Sequence, residues 1–220
     1  MSERSKFKRI RDGLQQAIYK VINPVVGTMV RVGITPNMVT TVGLLGNMVA
    51  AALLVYAGMT QGVDGPNYGI VTLAGVVIIL SSLFDMLDGQ VARLGGMVSK
   101  FGALYDSVLD RYCELFTLGG VAFYLMSCDD MIGALLTFLA LVGSMMVSYV
   151  RARAEALGAN CSVGLMQRPE RVVVTSIAVI AAGIAHLNLI IVIGMALIAL
   201  LANITAIVRI LHSRSKLINK

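Results

Sequence analysis

Residues 85–110 read DMLDGQVARLGGMVSKFGALYDSVLD, and the four aspartates in this stretch decide how the chain is arranged around them. Asp85 and Asp88 are spaced i, i+3, and Asp106 and Asp110 are spaced i, i+4, so each pair occupies one face of a helix. A short turn between the helices predicts that they are antiparallel neighbours with the two pairs face to face. Carboxylates without His or Cys suit Mg²⁺ or Mn²⁺, and four can hold two ions, an arrangement that stabilises phosphoryl transfer.

Small and basic residues beside the aspartates predict room for a ligand. Gly89 and Gly102 lack side chains where a ligand would approach the carboxylates, and Ala92 has the same effect to a lesser degree. Arg93 adds a positive group at the edge, which suits a phosphate.

The sequence on both sides of this stretch is strongly apolar. Hydrophobic residues make up 57% of the 220 residues and charged residues 14%, with a mean hydropathy of +0.83. This composition excludes a disordered chain and a water-soluble globular domain, and it is typical of a helical membrane protein. The predicted fold class is all-α, a polytopic membrane protein in which 1–220 is a single domain and 36–213 contains six transmembrane helices. We place these at about 37–58, 68–91, 101–127, 131–154, 170–186 and 188–212.

Basic residues predict the orientation of these spans. Residues 1–35 are rich in Lys and Arg and carry apolar residues at helical spacing, which predicts an amphipathic interfacial helix. The segments 58–68, 127–131 and 184–189 contain no Lys or Arg. Both termini are therefore predicted to be cytoplasmic, in the cell (inner) membrane. The net charge of +6 belongs to the cytoplasmic loops and does not indicate a nucleic acid partner.

Carboxylates inside a membrane have two other interpretations. One aspartate is often only a hydrogen-bond partner between helices, and Arg111 could pair with one of these four, to which Glu114 adds a further acid. Alternatively, intramembrane acids mark ion paths in transporters. Transporters of that kind usually show internal repeats with broken helices, and the sequence shows no such repeat.

Eight fixed positions in this region resemble the complete signature of the CDP-alcohol phosphotransferase family. They are Asp85, Asp88, Gly89, Ala92, Arg93, Gly102, Asp106 and Asp110. The resemblance implies a CDP-linked donor whose phosphoanhydride is attacked by an alcohol, with release of CMP. It also implies that Asp85, Asp88 and Asp106 bind the metal ions and that Asp110 completes the shell of the second ion. The nucleotide would lie along Gly89, Ala92, Arg93 and Gly102.

The resemblance assigns roles to three further features. It makes Asp110 the general base that takes the proton of the acceptor hydroxyl. It places Asn37 and Thr40, at the start of the first span, near the donor phosphates or the metal shell. Their alternative role is in the cap of a helix that begins after Thr35. The family also implies a homodimer, for which Gly143 and Ser144 in the fourth span are candidate contacts.

Four arginines predict the acceptor. Arg151, Arg153, Arg168 and Arg171 converge beside the site, and the guanidinium fork suits a phosphate dianion. The alternative is membrane anchoring together with an Arg–Glu pair involving Glu155 or Glu170, which would leave these arginines no role in binding.

The segments that carry these arginines resemble the prokaryotic phosphatidylinositol-phosphate synthase branch. The resemblance implies transfer from CDP-diacylglycerol, or from CDP-archaeol in an archaeal-type enzyme, to inositol 1-phosphate. A phosphatidylglycerophosphate synthase acting on glycerol 3-phosphate is the alternative within the family.

Overall fold

The computed structural model describes residues 22–62 and 65–218, and the regular structure within them is α-helical. A helical segment at residues 22–31 (α1) precedes six long helices. These are α2 (Pro36–Met59), α3 (Tyr68–Leu94), α4 (Lys100–Ser127), α5 (Met131–Ala156), α6 (Arg168–Ala185) and α7 (Leu189–Ile218). The all-α prediction is confirmed, and each long helix coincides with one predicted apolar stretch.

Four of these helices, α2, α3, α5 and α7, are long and apolar enough to cross a bilayer. Helix α4 is less apolar because its first fifteen residues include five charged ones: Lys100, Asp106, Asp110, Arg111 and Glu114. Helix α6 has 18 residues and begins with the charged sequence RPER. Both of these helices carry charged residues that line interior clefts.

Side-chain caps fix where the helices of the site begin. The Thr35 hydroxyl accepts a hydrogen bond from the Met38 amide, and Pro36 occupies the first turn of α2, as the sequence predicts. The Ser99 hydroxyl accepts a hydrogen bond of 2.9 Å from the Gly102 amide at the start of α4. The two caps fix the first residues of α2 and α4, the helices that carry Thr40 and Asp106.

The long helices form a closed ring. Helix α2 packs against α3 and α4, α3 packs against α6, α6 against α7, α7 against α5, and α5 against α4. Close packing of α2 and α4 requires Gly120, where an added Cβ would lie 2.9 Å from the Cα of Ala51. The ring encloses an apolar core at the end of the bundle where α2 ends, and polar clefts at the opposite end.

The prediction that α3 and α4 are packed neighbours is corrected in one respect. Among the described helices, both pack along α2 and neither packs extensively along the other. Only their acidic ends approach each other, on either side of the short segment at 95–99. Helix α2 packs against both of them, and away from the acidic ends α3 and α4 are not in extensive contact.

The first described residues cover the α2–α3 surface beside that space. Val26 of α1 is fully buried against Val39 and Val91, and Met29 and Val30 pack around the same cluster. The predicted interfacial helix over 1–35 is described only from residue 22 onward, and its residues 1–21 lie outside the described residues.

The small residues proposed for a dimer contact are used within the chain. An added Cβ at Gly143 would lie 3.0 Å from the Cβ of Ala202 on α7, and Ser144 is buried. These residues let α5 and α7 approach closely, so the predicted dimer contact through them is wrong.

Candidate active site

Three aspartates meet at the cleft between α3 and α4. Asp85, Asp88 and Asp106 each offer one carboxylate oxygen, and these oxygens all lie within 4.8 Å of one another. Asp88 is the most buried of the three, with 6% of its surface exposed. The i, i+3 spacing on α3 and the short connection to α4 bring these residues together, as the sequence predicts.

The chemistry of this acidic triad fits a divalent cation. Three carboxylates this close repel one another, and in a partly buried setting that repulsion is relieved by a shared positive ion. All three ligand atoms are oxygens, which suits Mg²⁺ or Mn²⁺. The triad can therefore hold a metal ion.

Thr40 orients one carboxylate of the triad. Its hydroxyl lies 2.7 Å from Oδ2 of Asp88 and donates to it, and both residues are buried. Groups that hydrogen-bond to metal-binding carboxylates fix their orientation and tune the affinity. Asn37, predicted alongside Thr40, lines the adjacent cleft, and the helix cap is formed by Thr35 instead.

Replacing Thr40 with Val is expected to weaken Mn²⁺ binding by about 10- to 100-fold, the usual cost of losing such a partner. Electron paramagnetic resonance titration of Mn²⁺ measures the change. Thr41→Val is the matched control, because the Thr41 hydroxyl contacts the Asn37 carbonyl and the Tyr105 hydroxyl and not the triad. Equal affinity of the Thr40→Val protein and the wild type would contradict this role.

Asp110 stands apart from the triad and contacts cations. Its Oδ1 lies 2.8 Å from Nη1 of Arg168, and its Oδ2 lies 3.4 Å from Nη1 of Arg111. The same Arg168 nitrogen also contacts Oδ2 of Asp85. Arg168 therefore links Asp85, a member of the triad, to Asp110.

A cleft of about 980 Å³ opens beside the triad. Six of the eight signature residues and both start-of-span residues line it. These are Asp88, Gly89, Ala92, Arg93, Gly102 and Asp106, together with Asn37 and Thr40. Gly89 borders the Arg93 guanidinium, since a Cβ added there would lie in ordinary contact with it, at 3.5 Å. We call this the donor cleft.

A second cleft, of about 490 Å³, lies on the other side of Asp110. We call it the basic cleft because five arginines line it: Arg111, Arg151, Arg168, Arg171 and Arg209. Three of the four predicted acceptor arginines belong to it, and exposed Arg153 does not. Arg209 was not predicted, because its position near the end of the last span is equally typical of membrane anchoring.

The arginines of the basic cleft differ in their partners. Arg171 is 2% exposed and donates to Glu114 through Nε and Nη2, at 2.5 and 3.1 Å. Arg151 donates to Glu155, which confirms one of the predicted Arg–Glu pairs. Arg168 has a buried Nε with no hydrogen-bond partner among the described residues.

Comparison with known proteins identifies this arrangement. Residues 33–212 match the CDP-alcohol phosphatidyltransferase family. The chain belongs to this family. It is accordingly a transferase, and both clefts lie within the matched residues.

Relatives within the CDP-alcohol phosphatidyltransferase family include two named synthases. The archaetidylinositol phosphate synthase of Pyrococcus horikoshii is 34% identical over 191 residues, which cover 86% of this chain and 89% of that protein. The phosphatidylinositol phosphate synthase of Corynebacterium glutamicum is 36% identical over 160 residues, 70% of this chain and 67% of that protein.

Solved structures of the family agree with the fold. The crystal structure of Mycobacterium tuberculosis phosphatidylinositol phosphate synthase (PgsA1) with CDP-DAG bound matches with a TM-score of 0.77 at 28% identity, covering 88% of this chain and 94% of that one. The structure of the same protein in complex with manganese and citrate matches with a TM-score of 0.76 at 29% identity, covering 86% and 87%.

Proposed function

We propose that the protein transfers a phosphatidyl group from CDP-diacylglycerol, or its archaeal counterpart from CDP-archaeol, to inositol 1-phosphate, with release of CMP. The observation that carries this proposal is the position of Arg168. It connects the acidic triad to the basic cleft and keeps one buried N–H without a hydrogen-bond partner among residues 22–62 and 65–218. A buried donor of this kind is normally satisfied, so it suits an anionic ligand in the cleft.

In the proposed donor site, Asp85, Asp88 and Asp106 hold divalent ions, and Asp110 completes the shell of a second ion. When bound, the two Mg²⁺ or Mn²⁺ ions neutralise charge on the diphosphate and the leaving CMP. The donor nucleotide occupies the donor cleft, where the small residues leave space and Arg93 meets the phosphates.

Asp110 is the proposed general base. It lies where the donor side of the site meets the basic cleft and takes the proton from the acceptor hydroxyl. The acceptor oxygen then bonds to the β-phosphorus while the bond from that phosphorus to the CMP oxygen breaks. Direct displacement of this kind needs no covalent enzyme intermediate.

The basic cleft is the proposed acceptor site. Arg151 and Arg168 line it and present charge to the acceptor phosphate, and Arg171 borders it with its nitrogens engaged by protein atoms. Exposed Arg153 lies at the end of α5, where it attracts anions toward the cleft. An uncharged acceptor has no need of so much positive charge.

The proposed setting is the cell membrane. We propose one domain over 1–220, with α2–α7 as six spans and α1 as the described part of an interfacial segment on the cytoplasmic side. Charges on α4 and α6 line the interior clefts, which allows these helices to span a bilayer despite their lower hydropathy. Both termini are cytoplasmic, and a homodimer forms through a surface other than Gly143 and Ser144.

An acceptor panel with the purified protein tests this function. CMP release from CDP-diacylglycerol is measured with Mn²⁺ or Mg²⁺ and with inositol 1-phosphate, free inositol, glycerol 3-phosphate or serine. We expect kcat/KM for inositol 1-phosphate to exceed that for free inositol by about 100-fold or more. Free inositol has no phosphate, so the arginines of the basic cleft would stay without their partner. EDTA should stop the reaction and added Mn²⁺ should restore it.

Two outcomes would overturn the proposal. Preference for glycerol 3-phosphate would make the protein a phosphatidylglycerophosphate synthase. No CMP release with any acceptor would rule out CDP-diacylglycerol as the donor.

A further inference from the structure

Two acid–arginine contacts connect α4 to α6 across the ring. Glu114 follows Asp110 by one helical turn on α4, and Arg171 follows Arg168 by one turn on α6. The Asp110–Arg168 pair lies at the site, and the Glu114–Arg171 pair lies next to it, deeper in the bundle. We call them the site rung and the inner rung.

The inner rung is closed to other ligands. Arg171 and Glu114 are 2% and 7% exposed, and the pair is bidentate. The remaining guanidinium nitrogen of Arg171, Nη1, donates to the Met166 carbonyl at 3.2 Å. Replacing a buried pair like this with apolar residues is often neutral or stabilising, so stability alone does not account for it.

Both rungs line one narrow interior cavity. Helices α4 and α6 do not pack along each other among the described helices, so the rungs are the links between them at this level. The site rung lies one helical turn, about 5.4 Å along the helix axis, from the two inner residues.

We propose that Glu114 is a positioning residue that confines Arg171 to the inner rung and thereby leaves the site rung undisturbed. This rests on the proposed function, because the site rung carries the general base and the acceptor arginine. Without the Glu114 charge, Arg171 is a buried cation next to Asp110 and binds it. Without Arg171, Glu114 is a buried anion next to Arg168 and attracts it away from the site.

This role makes a specific prediction for a double-mutant cycle. Glu114→Gln and Arg171→Gln should each lower kcat/KM for inositol 1-phosphate by about tenfold or more, a usual size for coupled residues. The double variant E114Q/R171Q should recover most of the lost activity, because neither released charge remains. If Arg171 instead gripped the acceptor phosphate directly, the double variant would stay as impaired as Arg171→Gln.

The measurements are kcat and KM for each substrate, Mn²⁺ affinity and thermal unfolding of the detergent-purified protein. The KM for CDP-diacylglycerol and the Mn²⁺ affinity should change little in all three variants. Glu170→Gln, an exposed carboxylate on the first turn of α6, is the matched control and should resemble the wild type. If either single variant fails to fold, the double variant is compared with the other one.

The proposal is overturned if the double variant is no more active than the more active of the single variants that fold. Failure of the proposed function is distinguishable, because the wild type would then not use inositol 1-phosphate. The same cycle is in that case run with whichever anionic acceptor the wild type accepts.

Discussion

Replacing Asp110 with Asn is expected to lower kcat by about 10²- to 10⁴-fold, the usual contribution of a general base. Asparagine has the same shape but cannot take a proton from the acceptor hydroxyl. The acidic triad of Asp85, Asp88 and Asp106 is unchanged in this variant, so CDP-diacylglycerol should still bind.

Turnover and binding are measured separately to test this expectation. Single-turnover CMP release reports the chemical step, and equilibrium binding of CDP-diacylglycerol in Mn²⁺ reports the donor site. Asp129→Asn is the matched control, because Asp129 is exposed in the turn between α4 and α5, at the opposite end of the bundle. Wild-type turnover in Asp110→Asn would remove the base assignment.

Replacing Arg168 with Ala is expected to change two binding constants in opposite directions. The KM for inositol 1-phosphate should rise roughly 30-fold or more, the lower end of what removing one partner of a desolvated charge pair costs. The Mn²⁺ affinity should increase, because Arg168 contacts Asp85 and Asp110 and its cation competes with a metal ion for them.

Steady-state kinetics with both substrates and Mn²⁺ titration by electron paramagnetic resonance check this prediction. Arg214→Ala is the control, because it removes an exposed arginine near the end of α7, outside both clefts. An unchanged KM for inositol 1-phosphate would contradict binding of the acceptor by Arg168. Weaker Mn²⁺ binding would contradict competition between Arg168 and the metal ion.

Much of the fold could be predicted because its signals are local. Apolar runs of about 20 residues and the Thr35-Pro36 cap are read directly from the sequence, and the helices coincide with them. The ring order could not be predicted, because it depends on which faces fit together. Gly120 against Ala51 and Gly143 against Ala202 are such fits, and one small residue gives no indication of its partner.

The site also combines features that local sequence signals predict with features that arise only from tertiary packing. The acidic triad follows from the i, i+3 spacing on α3 and the short turn before α4, so it could be predicted from the sequence. The partner of Arg171 did not follow, since Glu114 is 57 positions away while Glu170 is adjacent in the chain. Arg209 was missed because its contacts with the Val163 and Val147 carbonyls arise only from tertiary packing.

The linings of the two clefts divide the chain into two consecutive parts. Every residue of the donor cleft falls between Thr35 and Asp106, and every residue of the basic cleft falls between Asp110 and Arg209. The residues that line one cleft can therefore change during evolution independently of those that line the other. Under the proposed function, substitutions after Asp110 would alter which alcohol is chosen while the part proposed to bind the cytidine nucleotide would be passed on intact. One genetic crossover between Asp106 and Asp110 would exchange the acceptor half of one homologue for that of another.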